Sequence, residues 1–97
     1  LLDEEGNSHE AAKYMERILR YLPEDKEVHH HLGMINGRGG DMFGAHYHLA
    51  LEAIYGMDKK KTKFHMEKVE AFVDTPEKEE KLKELNEIYE ERSEFWP

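Results

Sequence analysis

The sequence predicts an all-α domain of about five antiparallel helices, on three observations. Apolar residues recur at spacings of three and four along most of the chain. Alternating runs are absent and β-branched residues are few. Pro, Gly and Asp punctuate the chain at intervals that suit short helix connections. Ninety-seven residues make one domain with a modest core.

Residues 1–7 are mostly acidic or polar and without period, so they are expected to be a flexible lead-in to a single domain over 8–97. Asn7 or Ser8 offers an N-cap, with Glu10 placed for a capping box. A first helix over about 8–22 carries Ala11, Ala12, Met15, Ile18, Leu19 and Leu22 as one stripe, and Pro23 stops it. Asp25 caps a second helix over about 26–38, with Val28, Leu32 and Ile35 inward, His29 and Asn36 beside them, and Gly39-Gly40 at its end. Asp41 caps a third over about 42–56, which Gly56 is expected to close in the left-handed conformation. Asp58 opens a fourth over about 59–73, whose expected inner face is Phe64, Met66, Val69, Phe72 and Val73. Thr75-Pro76 then supplies a cap followed by proline at the first helical position of a fifth helix over about 76–95. Its Glu77, Glu79 and Glu80 complement the positive end of the dipole. Leu82, Leu85, Ile88, Tyr89, Phe95 and Trp96 form one stripe on an otherwise charged rod, the pattern of a long terminal helix that seals a core.

The third helix organises the rest. From Phe43 to Met57 apolar residues fall on every side of the helical wheel, and Glu52 is the only formal charge. In a chain that is 37% charged, such a stretch must be covered on most sides, as a central core element or as apolar surface for a partner. Five of the seven glycines lie between Gly33 and Gly44, where the hairpin is either soft or closely approached by another backbone.

Composition excludes several classes. With no cysteine there is no disulfide framework, thiolate metal site or Cys nucleophile. No run is long and apolar enough for a membrane span or a signal peptide, so the protein is expected to be soluble and compatible with the cytoplasm. Fourteen Lys and Arg against 22 Asp and Glu give a net charge of −8, and the basic residues form no stripe, which argues against nucleic acid. Lys59-Lys60-Lys61 with Lys63 is the nearest thing to a basic patch and reads as a solvated first turn.

Ala11, Met15, Ile18-Leu19 and Pro23 resemble the second helix of a tetratricopeptide repeat. Leu32-Gly33 with Ala45 and Leu49 resemble the packing positions of the next repeat, and Leu49-Ala50, Gly56, Asp58, Thr62, Phe64 to Lys68 and Val69 resemble a further, overlapping copy. The wording at 31–34, 45–49 and 63–68 is similar to the helical repeat tail that follows the catalytic domain of some HExxH zinc metalloproteases. Asn36, Ala53, Thr62 and Met66 depart from the repeat pattern. The resemblance spans about 9–92 and implies a right-handed helical-repeat arrangement with a long C-terminal capping helix. It also implies a role in binding protein, carried by a natural adaptor fragment or a re-engineered repeat scaffold. A detached accessory domain of a zinc metalloprotease is the second implication.

Catalytic chemistry finds no support. The one His-Glu dipeptide is His9-Glu10, and Lys13 stands where a second zinc-binding histidine would be needed. Ser8 and Ser93 lack a glycine elbow, and Gly37-Arg38-Gly39-Gly40 reads as a helix-ending turn rather than a phosphate loop. The protein is therefore read as a non-enzyme without a cofactor. Its seven histidines leave a third reading open, a metal-binding helical bundle; no pair stands at i, i+4, and a cross-helix site would place His31 near His48.

What remains is surface. In tetratricopeptide-like packing, Glu27, His30, Met34, Gly37 and Arg38 of the second helix face the concave side, as do Gly44, Tyr47, Leu51, Ile54 and Tyr55 of the third. The expected partner-binding set is His30, Met34, Arg38, Tyr47, Leu51, Ile54 and Tyr55, with a protein or peptide as partner and a monomer in its absence. The competing expectation is that terminal helices bury these residues. Because His30, His31, His46 and His48 lie in or near this surface, affinity is expected to fall toward about pH 5.5 as imidazolium groups lose hydration, unless a carboxylate waits for them.

Overall fold

The computed structural model describes residues 4–97, with side chains from His9 onward. It is all-α: α1 Glu4–Tyr21, α2 Lys26–Arg38, α3 Met42–Tyr55, α4 Lys59–Ala71 and α5 Pro76–Ser93, with no strand among the described residues. Of the lead-in expected over 1–7, residues 1–3 lie outside the described residues and 4–7 already belong to α1. The helix therefore runs through Asn7 and Ser8 instead of starting there.

The other four starts follow their caps. Asp25 accepts from the Val28 amide, Asp41 from Gly44, Asp58 from Lys61 and Thr75 from Lys78. Each satisfies an otherwise orphaned amide, at about 1 kcal/mol per cap. The close of α3 differs from expectation. Gly56 has φ −89°, and the left-handed residue is Met57 at φ 57°. Hydrogen bonds from Met57 N–H to Ile54 O and from Asp58 N–H to Ala53 O hold the chain in that turn. At the other hairpin, a Cβ on Gly33 would stand 2.9 Å from Leu49 Cγ and 3.0 Å from the Ala45 carbonyl oxygen. Of the two readings of the glycine cluster, close backbone approach holds at this position.

α3 is central and packs against α2, α4 and α5, while α1 rests on α2. The core joins Phe43, Ala50, Leu51 and Ile54 of α3 to Val69 of α4 and Leu85 of α5, with Leu82, Ile88, Tyr89 and Trp96 packed against it. α5 therefore seals one face of α3, as its single apolar stripe predicts. The stripe ends differently: the helix stops at Ser93, Phe95 projects into solvent, and Trp96 turns back to meet Tyr89 edge-on at 5.7 Å. Arg92 ties the end of α5 to the α1–α2 turn through an ion pair with Glu24, and its guanidinium lies 5.3 Å from the Tyr55 ring. Two further expectations are corrected in α4. Thr62, Met66, Val69 and Val73 face inward, whereas Phe64 and Phe72 are exposed. No helix among the described residues is long and apolar enough to cross a membrane.

Candidate functional site

The sealed face of α3 accounts for four of the seven expected partner-binding residues. Leu51 and Ile54 are 5% and 1% exposed and belong to the core. Tyr47 and Tyr55 are half-buried against the same cluster, with Lys81 of α5 over the first ring and Arg92 over the second. The expected groove on this side is thus filled by α5, because its stripe needs an apolar surface and these residues supply one. His30, Met34 and Arg38 remain exposed on α2.

The opposite side of α3 is open. Here α2 and α4 form the walls of a groove of about 830 Å³, floored by Leu49, Glu52 and Ala53 of α3. His30, His31 and Met34 line it from α2, and Lys61, Phe64 and His65 from α4. Met34 and Phe64 are 47% and 52% exposed, so two large apolar side chains stand at its walls without internal cover. Lys26, Glu27 and Asp58 complete the charged end, and Arg38 lies outside the lining. The structure brings His30 and Met34 together with a groove that sequence reasoning placed elsewhere, and it adds Leu49, Glu52, Phe64 and His65. The missing signal was the side of α3 that α5 would choose.

His30 is not left without a counter-charge. Its Nδ1–H donates to Glu52 Oε1 at 3.0 Å across the groove floor. The expected loss of affinity on protonation rested on an uncompensated imidazolium, and at His30 the compensating carboxylate belongs to the chain itself.

Four other histidines form two cross-helix pairs. His29 Nε2 lies 2.8 Å from the Pro23 carbonyl oxygen, which can only accept, so Nε2 carries the proton. Neutral His29 then presents a bare Nδ1, which accepts from His48 Nδ1–H at 3.1 Å. Burial pushes His29 below its ordinary value, against the pull of the Pro23 carbonyl, Asp25 and Glu52. His48 is pushed down to about 4, by burial first and then by His29 and Lys81, with Asp41 opposing. The expected neighbour of His48 was His31; the α2–α3 crossing delivers His29 instead, and His31 faces the groove.

The second pair, His46 and His65, joins α3 to α4 with its Nδ1 atoms 3.0 Å apart. Burial lowers both, helped by Lys68 at His46 and by His46 and Lys61 at His65, where Glu52 pulls the other way. Both rings touch Phe64, edge-on, and His46 also stacks on Phe72.

No protein-family model, no curated protein sequence and no solved structure matches the chain. Fold and site together describe an all-α helical stack with one sealed and one open face on its central helix.

Proposed function

We propose that this protein is a non-catalytic interaction module, tetratricopeptide-like in its packing, that holds a segment of another protein in the groove between α2 and α4. The observation that carries this reading is the exposure of Met34 and Phe64 across an open groove whose floor is Leu49 and Ala53. An inserted segment with apolar anchors at helical spacing would cover them. Charge favours an acidic segment. α4 holds five Lys against two Glu in a chain whose net charge is −8, so the helix that carries Phe64 is basic on an otherwise acidic molecule, with Lys61 of the five in the groove lining itself.

Such a module is pH-sensitive, with the opposite sign to the one expected from desolvation alone. The groups around His30 are Glu52 beneath it, His31 beside it, Lys26 and Glu27 on its own helix, and Asp58, Lys61 and His65 across the groove. Counting only charged side chains, two Lys face Glu27, Glu52 and Asp58, a lining of −1 that any proton taken up by its imidazoles on acidification makes more positive. Affinity for an acidic segment should then rise as the pH falls.

A random peptide library displayed on phage and selected with the purified protein tests this. Acidic sequences with apolar anchors should emerge, bind more tightly at pH 6, and lose affinity about tenfold on Met34→Glu or Phe64→Ala with helicity retained. Selected peptides that are basic, or that shift amide signals of α1 rather than of α2 and α4, would overturn the reading.

A further inference from the structure

We propose that His46 and His65 form a chelating site for a divalent transition metal ion that accepts imidazole and prefers right-angled coordination, Cu²⁺ or Ni²⁺, at the seam of α3 and α4. The proposal rests on this histidine pair; His65 also lines the docking groove, but metal binding requires no peptide partner and is read without one.

The two Nδ1 atoms face each other at 3.0 Å from adjacent helices. A metal ion about 2.05 Å from each nitrogen would see them at an angle of about 94°. That is the cis angle of a square-planar or tetragonal site, whereas tetrahedral Zn²⁺ would need the nitrogens about 3.35 Å apart. The metal-free spacing is thus nearer to right-angled than to tetrahedral coordination, and each ring turns on binding so that its lone pair points at the ion instead of at the other nitrogen.

The rings are also held. His46 lies parallel to Phe72 within 6° at a centroid distance of 6.1 Å, and His65 meets Phe64 edge-on at 5.1 Å. Aromatic contacts on both partners restrict the rotations that a free pair would have to give up on binding. In the metal-free pair one Nδ1–H donates to the other ring's lone pair. On binding, the donor ring's proton moves through solvent from Nδ1 to Nε2, so both rings stay neutral, each keeps one N–H, and both Nδ1 lone pairs reach the metal. No proton is released overall.

Among the described residues no cluster of three or more His, Asp or Glu side chains could hold a metal ion. The site is accordingly a two-ligand chelate with water in its other positions, which the half-exposed setting allows. Lys68 beside His46 and Lys61 beside His65 oppose a dication, and Glu52 favours it. His29 and His48 have similar nitrogen spacing, but His29 is 4% exposed and there is no room for solvent ligands.

The test is titration of the purified chain with Cu²⁺ followed by electron paramagnetic resonance, and with Ni²⁺ followed by imidazole ¹⁵N signals. The expected result is one tight equivalent of Cu²⁺ with two equatorial nitrogens, and Ni²⁺ broadening confined to His46 and His65. Affinity should fall at least about tenfold in His46→Gln and in His65→Gln and stay unchanged in His31→Gln. The imidazole spectrum of the unaltered protein decides the matter even if a variant unfolds. Broadening centred on His30 and His31, or a His65→Gln protein that is folded and binds Cu²⁺ as before, would overturn the site.

Discussion

The His29–His48 pair joins α2 to α3 and the His46–His65 pair joins α3 to α4, each across 19 residues of sequence and each through facing Nδ1 atoms. The residue types, the atoms and the distances agree to within 0.1 Å, at 3.1 and 3.0 Å. What differs is cover. The first pair sits where α2 crosses α3, with a backbone carbonyl on its far nitrogen and the Tyr55 ring 5.7 Å away. The second opens toward solvent beside two exposed phenylalanines. Identical side-chain chemistry thus yields a buried brace in one place and an accessible pair of donors in the other, because burial sets the cost of charging an imidazole and the room for other ligands.

The largest effect that separates the pairs should appear on acidification of the metal-free protein. His48 is neutral in the fold down to about 4, while in the unfolded chain it takes a proton below its ordinary value of 6.5. Its contribution to stability is therefore complete above about pH 6.5 and is lost as the pH falls toward 4, by about 3 kcal/mol. Urea unfolding at a series of pH values measures this. His48→Gln should remove most of the slope and His65→Gln little of it; a flat profile for the unaltered protein would erase the distinction between the pairs.

A smaller loss should come from prising apart the helices that bring the buried pair together. Gly33→Ala drives a methyl group against Leu49 and the Ala45 carbonyl, at an expected cost of about 2 kcal/mol in urea unfolding. A variant as stable as the parent would show that the α2–α3 contact has slack, and that His29 and His48 are not held by close approach.

The smallest effect concerns the turn behind the open pair. Met57 occupies the left-handed region without being glycine, so Met57→Gly relieves steric strain at some entropic cost. The expected gain is about 0.5–1 kcal/mol. Because the turn touches neither pair, the whole curve of stability against pH should move up without changing shape. A changed slope would mean that the turn sets the register of His46 against His65.

Much of this molecule can be read from its residues in order. Asp25, Asp41, Asp58 and Thr75 announce their helices because a cap is a local hydrogen bond over three residues, and Leu82, Leu85 and Ile88 announce one buried face. The misjudged places are those where a local pattern has more than one solution. Phe64 and Phe72 read as core by residue type, yet Thr62, a polar residue, is buried in their stead because its hydroxyl donates to the Asp58 carbonyl at 2.7 Å. Gly56 read as the left-handed closer, yet hydrogen bonds from Met57 and Asp58 place the turn one residue later.

By itself the sequence determined the helix count, four of the five starts, the sealing role of α5 and the centrality of α3. It could not determine which side of α3 is sealed, since a helix that is apolar all round carries no hydrophobic direction. That choice was made by α5, whose Leu85 and Leu82 dock on Phe43, Leu51 and Ile54 while Arg92 fastens its end to Glu24 and Tyr55. Once that face is covered, the groove, the exposure of Met34 and Phe64, and the unequal cover of the two histidine pairs all follow. They depend on contacts between residues far apart in the chain, and no periodicity within a single helix records those.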